Sequence, residues 1–191
     1  FEIFNFSTEE NPPSLDKFDA LWVMGGPMNV WEENRYPWLV KEKLFIKNWV
    51  LNLEKPFFGI CLGHQLLGEA LGALVVKSQT PEIGFKEISV KREVYSNNLF
   101  RNLSEDMRVL QGHSAEISNF SKEKIKVLAS SDSCSIQALS YLNHAFSVQF
   151  HPEVVDDTIQ NWITIPKIKK DFYDAIGPNG IKEIIKYQQK N

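Results

Sequence analysis

Residues 56–65 constrain the fold of this chain more than any other part of its sequence. A short apolar run at 57–60 gives way within three residues to a helical pattern that starts near Gly63. Cys61 lies on the turn between them. Gly59 and Gly63 flank it at the two positions where side chains would clash in so tight a bend. A strand that turns this sharply into a helix is typical of the nucleophile elbow, here with cysteine in the place of serine.

This position gives the Cys61 thiol two properties. The thiol is held beyond the carboxyl end of a strand, where open α/β sheets bind their ligands. It also lies at the N-terminus of a helix, where the helix dipole and the unpaired backbone amides favour the thiolate form. A buried core cysteine is the alternative interpretation, and the two flanking glycines favour the nucleophile over it.

The pattern around this turn predicts an α/β fold. The continuous apolar run at 20–24 is typical of a parallel strand covered on both faces, and it ends at Gly25-Gly26-Pro27. Apolar residues recur with helical spacing at 38–53 and again at 63–74. Strand, helix, strand and helix in succession indicate an open, mostly parallel sheet flanked by helices. Residues 1–6 alternate in polarity and predict one more strand.

The second half of the chain changes character. Short segments of alternating polarity, separated by turn-forming residues, predict strands at 84–94, 107–110, 125–129, 136–141 and 145–150. These strands would add a mixed antiparallel edge to the sheet. Helical spacing at 156–170 is interrupted at Pro166, and a loop at 177–180 and a short final helix at 181–189 follow.

Size and composition bound what such a chain can do. The 191 residues fit one domain, 1–191, with a motif-bearing core at 20–153 and a C-terminal helical extension at 154–191. The net charge of −3 gives no basis for binding nucleic acid or an anionic membrane surface. No apolar run approaches the roughly 20 residues that span a bilayer. Cys61 and Cys134 are the two cysteines, too few for a disulfide framework or a zinc cluster, and they fit a cytoplasmic protein. We expect no metal and no cofactor.

A base for the thiolate is found among the four histidines. His151 follows the predicted strand at 145–150, and Pro152 biases it toward an extended backbone. Residues i and i+2 of an extended segment face the same side, so Glu153 is placed to accept a hydrogen bond from His151 and to fix its tautomer. Cys61, His151 and Glu153 then fit the general arrangement of nucleophile, base and orienting carboxylate.

Acyl transfer also needs hydrogen-bond donors for the oxyanion. Leu62 supplies a backbone amide directly after Cys61. Gly26, which follows the apolar run at 20–24, is the candidate for a second amide. Glycine there lets the backbone approach a ligand closely, although Gly25-Gly26-Pro27 taken alone is more typical of an ordinary turn.

Three segments in this order resemble the motifs of the class I glutamine amidotransferases, the Cys-His-Glu type. Residues 25–30 resemble the oxyanion loop of that family, 59–65 its nucleophile motif and 146–153 its base motif. The resemblance covers residues 20–153 and is greatest to free-standing members that are like the amidotransferase domain of GMP synthase. It implies the family's flavodoxin-like fold, whose sheet begins with a strand and a helix ahead of the segment equivalent to 1–6. We expect that N-terminal strand to be missing from this chain.

The resemblance also implies roles for the site residues. Cys61 would attack the side-chain amide of L-glutamine, and His151 would give a proton to the leaving ammonia. Water would then hydrolyse the γ-glutamyl thioester to glutamate. The amides of Gly26 and Leu62 would hold the oxyanion. The substrate contacts would be Gln65, Ser114 and Ala115.

Several alternatives stay open at the level of the sequence. Many relatives carry an acidic residue where Ala115 aligns, which puts the substrate in doubt: either Glu116 replaces it, or the α-amino group of the substrate is held differently. A γ-glutamyl peptidase would use the same triad on γ-glutamyl peptides or conjugates, with only the leaving amine changed. An idle, glutamine-sensing domain is disfavoured because all three triad residues are present. The residues after Glu153 are too few for a nucleotide-binding acceptor domain, so the resemblance implies a separate acceptor synthase as partner.

Overall fold

A parallel group of three strands forms one half of the sheet. The computed structural model describes residues 1–9, 11–91, 102–120 and 123–188. The three parallel strands are β1 Leu21–Val23, β2 Phe57–Ile60 and β7 Ala145–Val148. Strand β2 lies in the middle and pairs with β1 on one side and β7 on the other. Two helices follow the first two of these strands in the chain, α1 Trp38–Lys47 and α2 Leu62–Ala70.

An antiparallel group of strands continues the sheet from β7. Its members are β3 Leu74–Val90, β4 Asp106–Asn119, β5 Ile125–Ser130 and β6 Ala138–Tyr141. Within the described residues the sheet has seven strands, in the order β1-β2-β7-β6-β5-β3-β4. The predicted α/β fold with a mixed sheet is confirmed. The antiparallel part is larger than the edge that the sequence predicted, because β3 and β4 pair along most of their length.

Burial explains why the helices lie where they do. Helices α1 and α2 bury Leu39, Ile46, Leu66 and Leu67 against one face of the sheet, each with essentially no exposed surface. Burying such a side chain stabilises a fold by about 1.5–3 kcal/mol. This packing fixes the start of α2 beside the end of β2, where Cys61 lies.

The C-terminal extension packs beside the two long strands. It forms two helices, α3 Thr158–Trp162 and α4 Pro166–Gln188. A separate apolar cluster joins them to β3 and β4 through Ile83, Leu110 and Phe172. None of the helices within the described ranges is long and apolar enough to cross a membrane.

The strand predicted at residues 1–6 is wrong. This segment has no ladder partner, and its backbone turns at Asn5, whose carbonyl accepts hydrogen bonds from the amides of Thr8 and Glu9. Phe6 instead packs edge to face on Phe45 of α1, with ring centroids 5.5 Å apart. The alternation in polarity therefore reflects an aromatic contact with a helix and not a strand.

Other boundaries differ from the prediction in ways that the backbone explains. The helix predicted at 63–74 ends at Ala70, because Gly72 adopts a φ of 82° and turns the chain into β3. The helix predicted at 38–53 ends in a π-helical turn, Asn48–Asn52. The loop predicted at 177–180 is a single break at Gly177, where φ is 66°, inside α4. Residues 92–94 and 189, the ends of two other predicted elements, lie outside the described residues.

Candidate active site

Cys61 occupies a strained turn between β2 and α2. Its φ of 51° and ψ of −102° are unusual for a residue with a side chain, and such conformations cost on the order of 1–3 kcal/mol. Hydrogen bonds on both sides hold the turn. The Cys61 amide donates to the carbonyl of Val148 at 2.9 Å, and its carbonyl accepts from the amide of Gln65 at 3.1 Å. Strain retained in this way is common where a side chain is presented for chemistry.

The two flanking glycines are required by close backbone contacts. A Cβ atom on Gly59 would lie 2.6 Å from the carbonyl oxygen of Gly63. A Cβ atom on Gly63 would lie 2.2 Å from the carbonyl oxygen of Val23 in β1. Helix α2 therefore packs directly on β1 and β2. This close packing requires glycine on both sides of Cys61, as the sequence predicted.

His151 lies beside Cys61, at the end of the strand next to β2. Its amide donates to the carbonyl of Leu110 at 2.9 Å, and its Nδ1 lies 2.7 Å from Oε1 of Glu153. Gly25 touches both residues, since a Cβ atom there would lie 3.1 Å from Cε1 of His151 and 3.4 Å from Cβ of Cys61. The structure therefore brings the three predicted triad residues together.

The charge state of His151 is coupled to Cys61. Burial lowers the pKa of His151, but the neighbouring Cys61 and then Glu153 favour the protonated ring more strongly and raise the pKa to about 9. Cys61 and Glu153 thus both favour the protonated ring, and the Glu153 carboxylate orients it.

A cavity of about 830 Å³ opens in front of this pair. All of the predicted site residues line it: Gly26, Cys61, Leu62, Gln65, Ser114, Ala115, His151 and Glu153. Gly26 and Leu62 lie together, since a Cβ atom on Gly26 would be 3.1 Å from Cδ2 of Leu62. Residues of α3 and α4 also line the cavity, among them Lys167, Asp171 and Asp174.

Gln65 and Ala115 are joined by hydrogen bonds within the protein. The Gln65 amide nitrogen donates to the carbonyl of Ala115 and to Oε1 of Gln149, each at 3.1 Å. Glu116 is absent from the residues that line the cavity, and its carboxylate accepts a hydrogen bond from Ser78 at 3.2 Å. The expectation that Glu116 replaces the acidic residue at position 115 is therefore wrong, because its carboxylate is bound to Ser78 and does not line the cavity.

A family comparison assigns the chain to a known family. Residues 1–164 match the sequence model of the family Glutamine amidotransferase class-I. The chain belongs to this family. The relatives of this class I amidotransferase include a glutamine-hydrolyzing GMP synthase subunit of Saccharolobus solfataricus, 36% identical over 141 residues, which are 73% of this chain and 70% of that protein. The corresponding GMP synthase subunit of Sulfolobus acidocaldarius is 31% identical over 154 residues, 80% of this chain and 77% of that protein.

A solved structure supports the same assignment. The crystal structure of a glutamine amidotransferase from Thermotoga maritima superposes with a TM-score of 0.78 at 30% sequence identity. The superposition covers 96% of this chain and 76% of that one. The C-terminal helices of the present amidotransferase are thus largely within the aligned region.

The histidine nearest to Cys61 in sequence has neighbours that keep it from the catalytic pair. His64, three residues after Cys61, is fully buried with Nδ1 2.8 Å from Oγ of Ser147 and Nε2 3.1 Å from the carbonyl of Ile136. Burial lowers its pKa to about 3, so the ring is neutral. These two contacts hold the His64 ring away from the nucleophile.

One group of potential metal ligands lies together among the described residues: Glu82, His113 and Cys134, all buried. The Glu82 carboxylate accepts hydrogen bonds from Ser131, Gln137 and the His113 ring. Burial raises the pKa of the Cys134 thiol to about 12. Because the carboxylate is fully hydrogen-bonded and the thiol stays protonated, this group is a packed polar network. The absence of a metal stays a prediction.

Sequence reasoning missed the contribution of the C-terminal helices to this site. Trp162 was expected only as part of a helix, yet its ring lies 4.4 Å from the His151 ring, centroid to centroid, and tilted by 66°. It also covers Gly112, where a Cβ atom would lie 3.1 Å from Cζ3 of Trp162. No local spacing predicts such a contact, since it depends on where α3 packs.

Proposed function

We propose that this chain hydrolyses the side-chain amide of L-glutamine at Cys61 and releases ammonia for an acceptor on a separate chain. The observation that carries the proposal is the array of Glu153, His151 and Cys61 at one end of the cavity. The carboxylate lies 2.7 Å from one nitrogen of the imidazole, and the same ring is coupled to the cysteine. This is the order of groups that activates a thiol as a nucleophile.

The proposed first half-reaction forms a thioester. The Cys61 sulfur, whose proton has passed to His151, attacks the amide carbon, and the carbonyl oxygen becomes an oxyanion that the amides of Gly26 and Leu62 stabilise. His151 then returns its proton to the amide nitrogen as the carbon–nitrogen bond breaks. Ammonia leaves, and the γ-glutamyl group remains on Cys61.

The proposed second half-reaction restores the enzyme. His151 removes a proton from a water molecule, and the hydroxyl attacks the thioester carbon. The carbon–sulfur bond breaks, glutamate leaves, and the pair of Cys61 and His151 is restored. Trp162 covers one side of the imidazole and limits the access of bulk water to it.

The relatives support a separate acceptor. Two of them are named as one subunit of a glutamine-hydrolyzing GMP synthase, that is, as one part of a larger enzyme. We propose that this chain likewise works with a separate synthase chain. The core 20–153 and the extension 154–191 would act as one catalytic unit, since both line the cavity.

A γ-glutamyl peptidase is the second candidate function, and one observation favours it. The cavity of about 830 Å³ extends from Cys61 to Asp171 and Asp174 of α4, so it has room for a leaving amine larger than ammonia. The acyl half of that reaction would be identical. The two functions differ only in which amine departs.

Steady-state assays separate the two functions. Purified protein is given L-glutamine or γ-glutamyl dipeptides, and glutamate release is measured with wild type and with Cys61→Ala. Cys61-dependent turnover of glutamine supports the amidotransferase, and turnover of the dipeptides alone contradicts it in favour of the peptidase. If the isolated chain is silent, a glutamine-like diazoketone is applied: labelling of Cys61 indicates a site that awaits its partner, and no labelling indicates an idle domain.

A further inference from the structure

Lys167 connects the C-terminal helix α4 to the loop that follows β1. This loop, residues 24–32, is called the glycine loop. Its Nζ donates a hydrogen bond to the carbonyl oxygen of Pro27, 140 residues away in sequence. The same Nζ lies 3.3 Å from Oε2 of Glu32 at the other end of that loop. Lys167 is half-buried, and Glu32 is largely covered. One side chain thus fastens both ends of the segment 27–32.

Glu32 organises the interior of the loop. Its carboxylate accepts hydrogen bonds from the amide of Asn29 at 2.7 Å and from the Asn29 side chain at 3.0 Å. Burial alone would raise the pKa of Glu32, but the Asn29 amide and Lys167 outweigh burial and hold the pKa below its usual range. The carboxylate is therefore ionised at neutral pH and available to Lys167.

A second lysine fixes the far side of the same loop. Lys43 of α1 donates to the carbonyl of Val30 at 2.7 Å and pairs with Glu33 and Glu69. This contact is made by the core of the domain. The contact near the catalytic residues is made only by Lys167 among the described lysines, from α4.

The position of this loop matters for the chemistry. A Cβ atom on Gly25 would lie 3.1 Å from His151 and 3.4 Å from Cys61, and one on Gly26 would lie 3.1 Å from Leu62. Pro27, which Lys167 binds, follows these two glycines directly. A shift of about 1 Å in this part of the backbone would displace a donor from the oxyanion and lower the rate by up to about 100-fold.

We propose that Lys167 is a positioning residue that holds the glycine loop against Cys61 through the carbonyl of Pro27. It acts through that loop and does not touch the reacting atoms. Lys167 lies just beyond residues 1–164, which match the family model, so the inference assigns a catalytic contribution to a part of the chain that the match does not include. It rests on the proposed function, because the loop is assigned there to the oxyanion.

Lys170 provides a matched control. It lies one turn further along α4, is exposed, and pairs with Asp174 instead of the loop. Lys167→Met and Lys170→Met remove the same charge from the same helix. Lys167→Arg keeps the charge but changes the geometry of donation.

Two readouts test the proposal on the full chain. Hydrogen–deuterium exchange of the peptide covering 24–32 should be faster in Lys167→Met than in wild type, and unchanged in Lys170→Met. In glutamine turnover, Lys167→Met should lower kcat about 10- to 100-fold with little change in KM. Lys167→Arg should recover part of the loss.

The outcomes are distinguishable from failure of the proposed function. If wild type neither turns over glutamine nor is labelled at Cys61 by a glutamine-like diazoketone, the proposed function fails, while the exchange comparison still decides the role of Lys167. Wild-type exchange and wild-type kcat in Lys167→Met would overturn the inference. Equal losses of kcat in both Met variants, together with a lower Tm in both, would also overturn it. They would show that the two lysines stabilise α4 and that neither positions the loop.

Discussion

Removing the Cys61 sulfur should lower the pKa of His151. The imidazolium is buried, and its protonated form depends on Cys61 and Glu153. In Cys61→Ala only the Glu153 carboxylate and the burial remain, and burial opposes protonation. The ring should therefore give up its proton at a lower pH than in the wild type.

The structure sets the magnitude of this change. A rise of the His151 pKa from 6.5 to about 9 corresponds to about 3 kcal/mol in favour of the protonated ring. A neighbouring opposite charge changes a pKa by about 1–3, so the pKa of His151 should fall by that amount in Cys61→Ala. The raised pKa of His151 also makes the stability of the fold depend on pH. Its stabilising contribution is fully present below pH 6.5 and is lost as the pH rises through about 9.

NMR titration of the histidine rings measures this prediction. The chain has four histidines, and His64 should stay neutral throughout because burial lowers its pKa to about 3. His151 should titrate near pH 9 in wild type and at a clearly lower pH in Cys61→Ala. Cys134→Ala is the control, and it should leave the His151 pKa unchanged. A His151 pKa that stays near 9 without the Cys61 sulfur would refute the coupling.

Three further predictions concern the same site. A glutamine-like diazoketone should label Cys61 and leave Cys134 unmodified, since Cys134 is buried with a pKa raised to about 12; peptide mass spectrometry checks this, and labelling of Cys134 alone would reverse the assignment. Gly63→Ala should destabilise the fold by about 1–3 kcal/mol or more, because the new Cβ would lie 2.2 Å from a carbonyl of β1; urea unfolding measures the change, and wild-type stability would contradict the contact. Glu153→Gln should lower kcat less than His151→Asn does, because it weakens only the orientation of the ring; the ratio of the two kcat values tests this, and a reversed order would exclude the assigned roles.

The local parts of the site were predictable from the sequence. The elbow follows from an apolar run, two glycines and a helix start within a few residues. The contact of His151 with Glu153 follows from the period of an extended chain. Each depends only on neighbours in sequence, and the structure has both arrangements, with the Nδ1 to Oε1 distance of 2.7 Å. The pairing of β2 with β7, which joins the two halves of the site, is not encoded in local spacing.

The rest depends on long-range packing that spacing does not encode. Strand β3 runs through Pro81, and its register with β4 shifts between Lys77 and Glu82. Its first half was therefore not recognised as a strand, since proline and an irregular register break the alternation. Trp162 and Lys167 reach the site only because α3 and α4 pack beside β3 and β4. The same holds for the buried group around Glu82, whose members are far apart in the chain.

The rate of glutamate release from L-glutamine, measured side by side for wild type and Cys61→Ala, tests the central claim most directly. We predict turnover by wild type and a loss of at least about 10⁴-fold in the variant, since removing a nucleophile abolishes the covalent route. The variant should unfold at nearly the same temperature, because alanine fits the elbow. Glutamate release by Cys61→Ala at close to the wild-type rate would contradict the account.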